Sequence, residues 1–466
     1  CIRDRVEAEY ESLIEQVPRE IRREHMDAKK KRHGLSFSRA EFTRDILFNH
    51  KKGFRLRPKV FTKTTERLEP KLRLPSTSTK THLPYFFEEC PFTAELSEYI
   101  KNDRILGTNV RKFSENYLYD GRIFPVYSLM QAVTGRTSSR DPNGQNFPKR
   151  GAAAKAYRKI FVPPPGYVQL EADLSQAELR IAADMANDHT MLEIYNNDGD
   201  IHKTTACITM GISEDEFADL PPDQQGLNRF KAKAVNFGFL YGMWWKSFIG
   251  YAKTQYGVDF TEEEAERTRQ NFFAKYSKLE PWHWAMKNFA LENGYVRSYD
   301  GRVRHLPTVY SDTDYIQKEA LRQAINSPVQ EFASSLGVMS MARITTQIDP
   351  RCLKLVGFVH DALYAWVPEQ YAEWGAKTLK YYMESNPIEE WFNRKMKVPM
   401  KADVAFGMNG SEVHEMTTLN LEDEYDFGMH ADSMAFELPD HDWPENDGMF
   451  DIPRHLHAPE EIHLWT

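Results

Sequence analysis

The chain of 466 residues is 41% hydrophobic and 27% charged, a balance that suits a globular protein of roughly two to four subdomains and excludes a fibre or a disordered polymer. No apolar stretch approaches the roughly 18 residues of a membrane-spanning helix; the nearest run is 237–245, so no membrane partner is expected. The net charge of -8 conceals a division, because residues 411–466 carry 15 acidic residues against one arginine while residues 1–410 carry 59 basic and 53 acidic ones. Within that body, 29–73 hold 15 basic and four acidic residues, the pattern of a surface that meets a polyanion or of a solvated lysine-rich face. Cys1, Cys90, Cys207 and Cys352 lie far apart with no CxxC pair, which encodes neither a disulfide framework nor a zinc ribbon and points to a reducing compartment.

In chain order, Val6, Tyr10, Leu13, Ile14 and Val17 recur at helical spacing, predicting one arm of an antiparallel helical pair with the basic run Lys29-Lys30-Lys31-Arg32 at its tip. Residues 50–85 are rich in Lys, Arg, Pro, Ser and Thr and read as a loop, with helix resuming near Phe92. After Pro163-Pro164-Pro165-Gly166, residues 167–172 read as a strand ending at Asp173. Helical patterns dominate 176–300, and a long helix is predicted over about 314–346. Residues 353–367 read as two strands flanking His360-Asp361, a β-hairpin with charged groups at its turn. The region after Met408 shows no sustained period, and no internal repeat is present.

Two aspartates thus stand at strand ends 188 positions apart. If they converge on one sheet edge, Asp173 and Asp361 form a hard-oxygen site able to hold two Mg²⁺ ions, which clamp attacking and leaving oxygens in phosphoryl transfer. Either one alone serves equally well as a turn or helix cap. In Arg229-Phe230-Lys231-Ala232-Lys233-Ala234-Val235-Asn236-Phe237-Gly238-Phe239-Leu240-Tyr241-Gly242, two cations and then two aromatics recur every four residues, so a helix sets them on one stripe. Cations suit a triphosphate and an aromatic ring suits a base; an ordinary amphipathic helix with snorkelling bases gives the same spacing.

These segments, together with Thr134-Gly135-Arg136 through Gln145-Asn146, Asp173-Leu174-Ser175-Gln176-Ala177-Glu178-Leu179-Arg180, Ala324-Ile325-Asn326-Ser327-Pro328-Val329-Gln330 and Val359-His360-Asp361, resemble in order and interval the motifs of the family A DNA polymerases, the group of bacterial DNA polymerase I and many phage replicases. The resemblance is firm over about 100–410 and positional over 1–100. It implies an α+β right-hand polymerase with an antiparallel palm sheet, helical fingers and a helical thumb: thumb 1–110, palm 111–186 and 303–410, fingers 187–302, and an acidic tail 411–466. It implies template-directed addition of deoxynucleotides to a primer 3′ end with release of pyrophosphate. Asp173 and Asp361 match the metal-binding catalytic aspartates, with two Mg²⁺ and Mn²⁺ as a substitute. Lys233 and Arg229 match the residues that grip the triphosphate, and Lys233 also a proton donor to pyrophosphate. His202 matches a further phosphate contact, Phe237, Tyr241 and Gln176 nucleotide contacts, and Glu178 a steric gate that with Tyr241 occupies the space of a ribose 2′ hydroxyl. Arg136, Gln145, Asn146, Arg322, Asn326, Gln330 and His360 match residues at the primer-template, and Lys29, Lys30, Lys31 and Arg32 would hold duplex phosphates. Minor-groove acceptors are shared by all correct pairs, so such contacts test pair shape and not sequence.

The sequence departs from the family where Ala362 follows His360-Asp361 in place of the usual glutamate, which removes a negative charge beside the metals. No paired Asp-x-Glu set of a proofreading exonuclease precedes the palm motifs, so no proofreading is expected of this chain; an exonuclease would reside on a separate polypeptide, a partner alongside a replisome protein, or on a removed N-terminal part. Cys1 in place of Met fits a product of protein splicing or a truncation of a longer polymerase. The expected setting is the cytoplasm of a bacterial or phage-infected cell. Two rival readings are a single-subunit RNA polymerase, against which Glu178 speaks, and a silent DNA-binding scaffold, which Ala362, the missing exonuclease and the acidic tail motivate. The tail itself suits either a disordered segment or a docking peptide.

Overall fold

The computed structural model describes residues 2–26, 35–62, 64–66, 68–129, 131–148 and 152–408. Short strands β1 (Val126–Ser128) and β2 (Ser138–Arg140) pair antiparallel, as do β4 (Tyr295–Arg297) and β5 (Val303–His305). Between them in sequence runs β3 (Tyr167–Leu174), which joins β6 (Lys354–Val359), β7 (Ala362–Pro368) and β8 (Ala402–Gly407) in one antiparallel sheet of order β6-β7-β3-β8. The expected hairpin over 353–367 is therefore present, and β3 extends one residue past Asp173.

Side-chain alternation gives this sheet two unlike faces. Leu170, Ala172 and Leu174 enter the main core with Val367, Ala376 and Leu379. The helix Ala372–Glu384 lies on this face, and it comes close because Gly375 has no side chain: a Cβ there would stand 2.7 Å from Val367 Cγ2 and 3.0 Å from Leu170 Cδ1. On the opposite face lie Gln169, Glu171 and Asp173, with buried Glu171 accepting a 2.6 Å hydrogen bond from Tyr364 Oη and lying 3.7 Å from the Arg158 guanidinium. Asp173 is the one exposed residue of the strand.

The N-terminal region folds around a second core that includes Val6, Leu13, Ile21, Phe42, Phe86 and Leu96. Its first helix, Ile2–Gln16, stops before Pro18, and the chain restarts as Arg19–His25 because Pro18 cannot continue the hydrogen-bond ladder. The partner of the first helix is Pro91–Arg104, and Lys29, Lys30, Lys31 and Arg32 lie outside the described residues.

Helices Ile201–Met210, Pro222–Leu240, Glu262–Lys275 and Leu279–Asn293 lie in the helical segment between β3 and β4, which also holds the helix Ala177–Ala186 directly after β3. The helix expected to carry the stripe from Arg229 to Tyr241 begins earlier, at Pro222, since proline is well suited to a first helical turn whose N–H groups have no partner. Phe239 anchors it against Phe248 and Phe272, with ring centroids 4.5 Å and 5.6 Å away. At Gly238 a Cβ would stand 2.7 Å from the Phe248 ring, so glycine lets the two helices meet there. The long helix Asp314–Gln347 carries Pro328 within it and matches the expected span.

Candidate active site

The register of the central sheet places the two aspartates at the same end of neighbouring strands. Asp173 on β3 lies directly opposite Ala362 on β7, whose preceding residue is Asp361. Val359 pairs with Ala362, so His360-Asp361 forms a two-residue hairpin turn, and His360 adopts the positive φ of 63° that such tight turns require. Backbone pairing alone thus brings both residues to one edge of the sheet. On the other flank of β3, Asp403 lies opposite Asp173, and directly opposed residues of an antiparallel pair share a face with Cβ atoms about 4.5–5.5 Å apart. The sequence gives little sign of this third carboxylate, because β8 is a short strand whose alternation reduces to Ala402 and Val404.

Among the described residues no group of three His, Cys, Asp or Glu side chains is gathered closely enough to hold a metal ion. Asp173 and Asp361 are the residues that would hold one. Two carboxylates are a hard-oxygen donor set, and Mg²⁺ in phosphoryl-transfer sites is held by one or two carboxylates plus substrate phosphates and water, not by an all-protein cage. The donor set fits that ion.

A second cluster forms beside the first. Glu178, two residues into the helix that follows β3, accepts hydrogen bonds from Arg136 Nη2 and Tyr241 Oη, one on each carboxylate oxygen. Gln330, on the long helix, also acts on the Tyr241 hydroxyl and favours its ionised form, against burial. Burial, then the Glu178 charge, push the Tyr241 phenol well above its ordinary pKa, so the hydroxyl stays protonated and able to donate. Four motifs scattered from 136 to 330 meet in this one constellation.

Arg229, Lys233, Phe237 and Tyr241 are all partly buried on their stripe. Arg229 Nε donates to Asp200, whose side chain also caps the helix Ile201–Met210 at the His202 N–H, 2.9 Å away; burial opposes ionisation of Asp200, but the Arg229 hydrogen bond and charge overcome it and hold the carboxyl below its ordinary range. His202 is 3% exposed. Its Nδ1 lies 2.8 Å from Asn236 Nδ2, and burial, aided by the charges of Arg229 and Lys233 against Asp200, lowers its pKa to about 4. His202 is therefore a neutral, enclosed imidazole at pH 7. Neither Asp200 nor Asn236 was read as functional from the sequence.

Phe237, Tyr241, Arg322 and Asn326 line one cavity of about 450 Å³. Arg322 is half exposed and paired with Glu319, and the Asn326 Oδ1 is buried without a hydrogen-bond partner among the described residues. Asn146 and His360 are exposed. Gln176, in the left-handed conformation at the helix start, accepts 3.0 Å from Tyr195 Oη. Gln145 is buried, and its amide donates to Thr137 Oγ1 at 2.6 Å and to the Phe358 carbonyl at 3.4 Å, supporting the loop from within.

The sequence pattern of DNA polymerase family A matches residues 9–412. Relatives include DNA polymerase I of Pseudomonas aeruginosa, 34% identical over 63% of this chain and 30% of that protein, DNA polymerase I of Caldicellulosiruptor bescii, 32% identical over 63% and 32%, and the thermostable DNA polymerase I of Thermus filiformis, 32% identical over 63% and 33%. The chain spans about a third of the length of the curated relatives it matches. A solved structure, the POL domain of Pol1 from M. smegmatis in complex with DNA primer-template and dNTP, is similar with a TM-score of 0.69 and 24% identity, over 88% of this chain and 66% of that one. That likeness carries the α+β fold with its antiparallel sheet. The chain belongs to DNA polymerase family A.

Proposed function

We propose that this chain is a DNA-directed DNA polymerase that extends a primer 3′ end on a DNA template and releases pyrophosphate. The observation that carries the proposal is the pairing of Asp173 with Ala362, which sets Asp173 and Asp361 on one sheet edge. Two Mg²⁺ ions held there, with Mn²⁺ as a substitute, would supply the charge that activates the primer hydroxyl and screens the phosphates.

The chain's own residues do the rest. Arg229 and Lys233 grip the triphosphate, which must displace Arg229 from Asp200, and Lys233 gives a proton to the leaving pyrophosphate. His202 donates a hydrogen bond to the same group. Phe237 and Tyr241 pack on the incoming nucleotide, and Glu178 with Tyr241 closes the space that a 2′ hydroxyl needs. Arg136, Asn326 and Gln330 meet minor-groove acceptors of the new pair, the orphaned Asn326 Oδ1 being a group that a bound strand would satisfy. Arg322 touches the template. In this assignment 1–110 is the thumb, 111–186 with 303–410 the palm, and 187–302 the fingers, whose closure follows correct pairing. No proofreading step is assigned, so a primer with a mispaired 3′ end, incubated without nucleotides, is expected to stay intact.

Primer extension on a labelled primer-template with Mg²⁺, comparing deoxy- and ribonucleotides, tests the proposal. Extension confined to deoxynucleotides supports it. Binding of the primer-template with no extension in Mg²⁺ or Mn²⁺ overturns it in favour of a silent scaffold.

A further inference from the structure

A buried chain of polar groups runs from His202 into the helical core. His202 Nδ1 meets Asn236 Nδ2 at 2.8 Å, Asn236 Oδ1 accepts from Thr205 Oγ1 at 2.9 Å, and that hydroxyl lies 2.9 Å from Tyr276 Oη. Asn236, Thr205 and Tyr276 are all fully buried, with 0% exposure. No bulk water reaches them, so each group finds its partner within this chain, and the Asn236 amide is oriented with Nδ2 on the imidazole and Oδ1 on the Thr205 hydroxyl.

The direction matters because a neutral imidazole carries one proton for two nitrogens. An amide N–H aimed at Nδ1 requires a bare Nδ1 and puts the proton on Nε2. The charged groups that act on His202 are Asp200, Arg229 and Lys233, and the two cations oppose a second proton. A neutral His202 can donate to an anion held by Arg229 and Lys233 only through Nε2–H.

We propose that Asn236 is a positioning residue that locks His202 in its Nε2–H form, so that the imidazole donates a hydrogen bond to the triphosphate without itself being charged. Asn236 does not titrate in the working range, so it holds this form at every pH where the enzyme operates. An aspartate in its place would accept from Nδ1–H, leave a bare Nε2 on the neutral ring and favour the imidazolium. The role of the phosphate contact rests on the polymerase assignment above; the proton position does not.

The test is carried by the intact chain labelled with ¹⁵N-histidine, the His202 signals being identified by their loss in His202→Gln. At pH 7.5 a protonated Nε2 and a bare Nδ1 are expected from the imidazole ¹⁵N shifts. A protonated Nδ1 overturns the proposal, whether or not the protein extends primers. Asn236→Asp is expected to raise KM for deoxynucleotides by about tenfold at pH 8.5, the size of one lost hydrogen bond to a charged group, with kcat little changed and KM recovering as lower pH restores the proton on Nε2. A KM that does not depend on pH in this variant, or a fall in kcat alone, counts against the positioning role. If Asn236→Asp does not fold, the wild-type spectrum still decides. Absence of extension in the wild-type protein sinks the polymerase assignment and leaves the proton position to be judged by the spectrum.

Discussion

At the scale of single residues, Glu178 has two tasks. Its carboxylate holds Tyr241 and Arg136 at once, so truncation removes the group proposed to exclude a 2′ hydroxyl and also frees two partners. Glu178→Ala is expected to lower the preference for deoxy- over ribonucleotides by about tenfold or more, since a buried hydrogen-bonding partner typically carries 1–3 kcal/mol. The ratio of kcat/KM for the two nucleotide classes measures this, and an unchanged ratio would remove Glu178 from the gate. Glu178 was legible as part of a motif. Its grip on Arg136 was not, because the contact spans 42 positions and depends on the β1–β2 pairing, two strands of three residues that no periodicity announces.

At the scale of elements, three segments meet at Glu331. Arg302, in the connection between β4 and β5, lies 2.9 Å from the Glu331 carboxylate and donates to the Gly135 carbonyl at 3.0 Å, while Gly135, at φ 73°, leaves room for the Glu331 side chain that any Cβ would strike. Burial first, with Asp300 against the help of Ser298 and Arg302, raises the Glu331 pKa to about 7. The folded state therefore binds more protons than the unfolded chain between about pH 4.5 and pH 7. This residue's contribution to stability is present below about pH 4.5, is lost as pH rises through 7 and stays lost above it, a change of up to about 3 kcal/mol. Glu331→Gln is expected to remove that dependence, so that denaturant midpoints of variant and parent diverge between pH 5 and pH 8 in the variant's favour. Parallel curves would contradict the burial argument.

The sheet row offers a second expectation at this scale. Val359, Ala362, Asp173 and Asp403 are successive cross-strand neighbours, and Ala362 occupies the place beside Asp173 where the family's glutamate would stand. Asp403 is then the remaining carboxylate opposite Asp173, and its charge adds to the local attraction for cations. Asp403→Asn is expected to raise the Mg²⁺ concentration for half-maximal extension about two- to fivefold while extension persists. A midpoint that does not move would make Asp403 a solvated surface residue. Asp173 and Asp361 were readable because strand, turn and aspartate coincide in sequence. Asp403 was not, since only pairing with β3 gives it meaning.

At the scale of the whole molecule, charge is unevenly distributed. Residues 1–410 are net positive by six, and 411–466 net negative by 14. A long-range field of this kind acts on a polyanion through salt-screened attraction and repulsion. Removal of 411–466 is expected to tighten primer-template binding severalfold at about 50 mM salt and to have little effect near 0.5 M, where the screening length falls below about 5 Å. Fluorescence anisotropy across a salt series checks this; equal affinity at low salt would show that the acidic segment does not compete with DNA. The fold class was legible at this scale from five ordered motifs and the long helix. The His202 environment was not: burial of an expected phosphate contact follows from how the helices Ile201–Met210 and Pro222–Leu240 pack, with Asn236 34 positions away supplying the partner.

The central claim is that Asp173 and Asp361, joined by one sheet edge, carry DNA synthesis. The measurement that tests it most directly is primer extension by the parent, Asp173→Asn and Asp361→Asn under matched Mg²⁺, with primer-template binding followed in parallel. The account predicts extension by the parent and a loss of at least about a thousandfold, roughly 4 kcal/mol of transition-state stabilisation, in each variant with DNA binding retained. Extension by either variant at near-parental rate would contradict it.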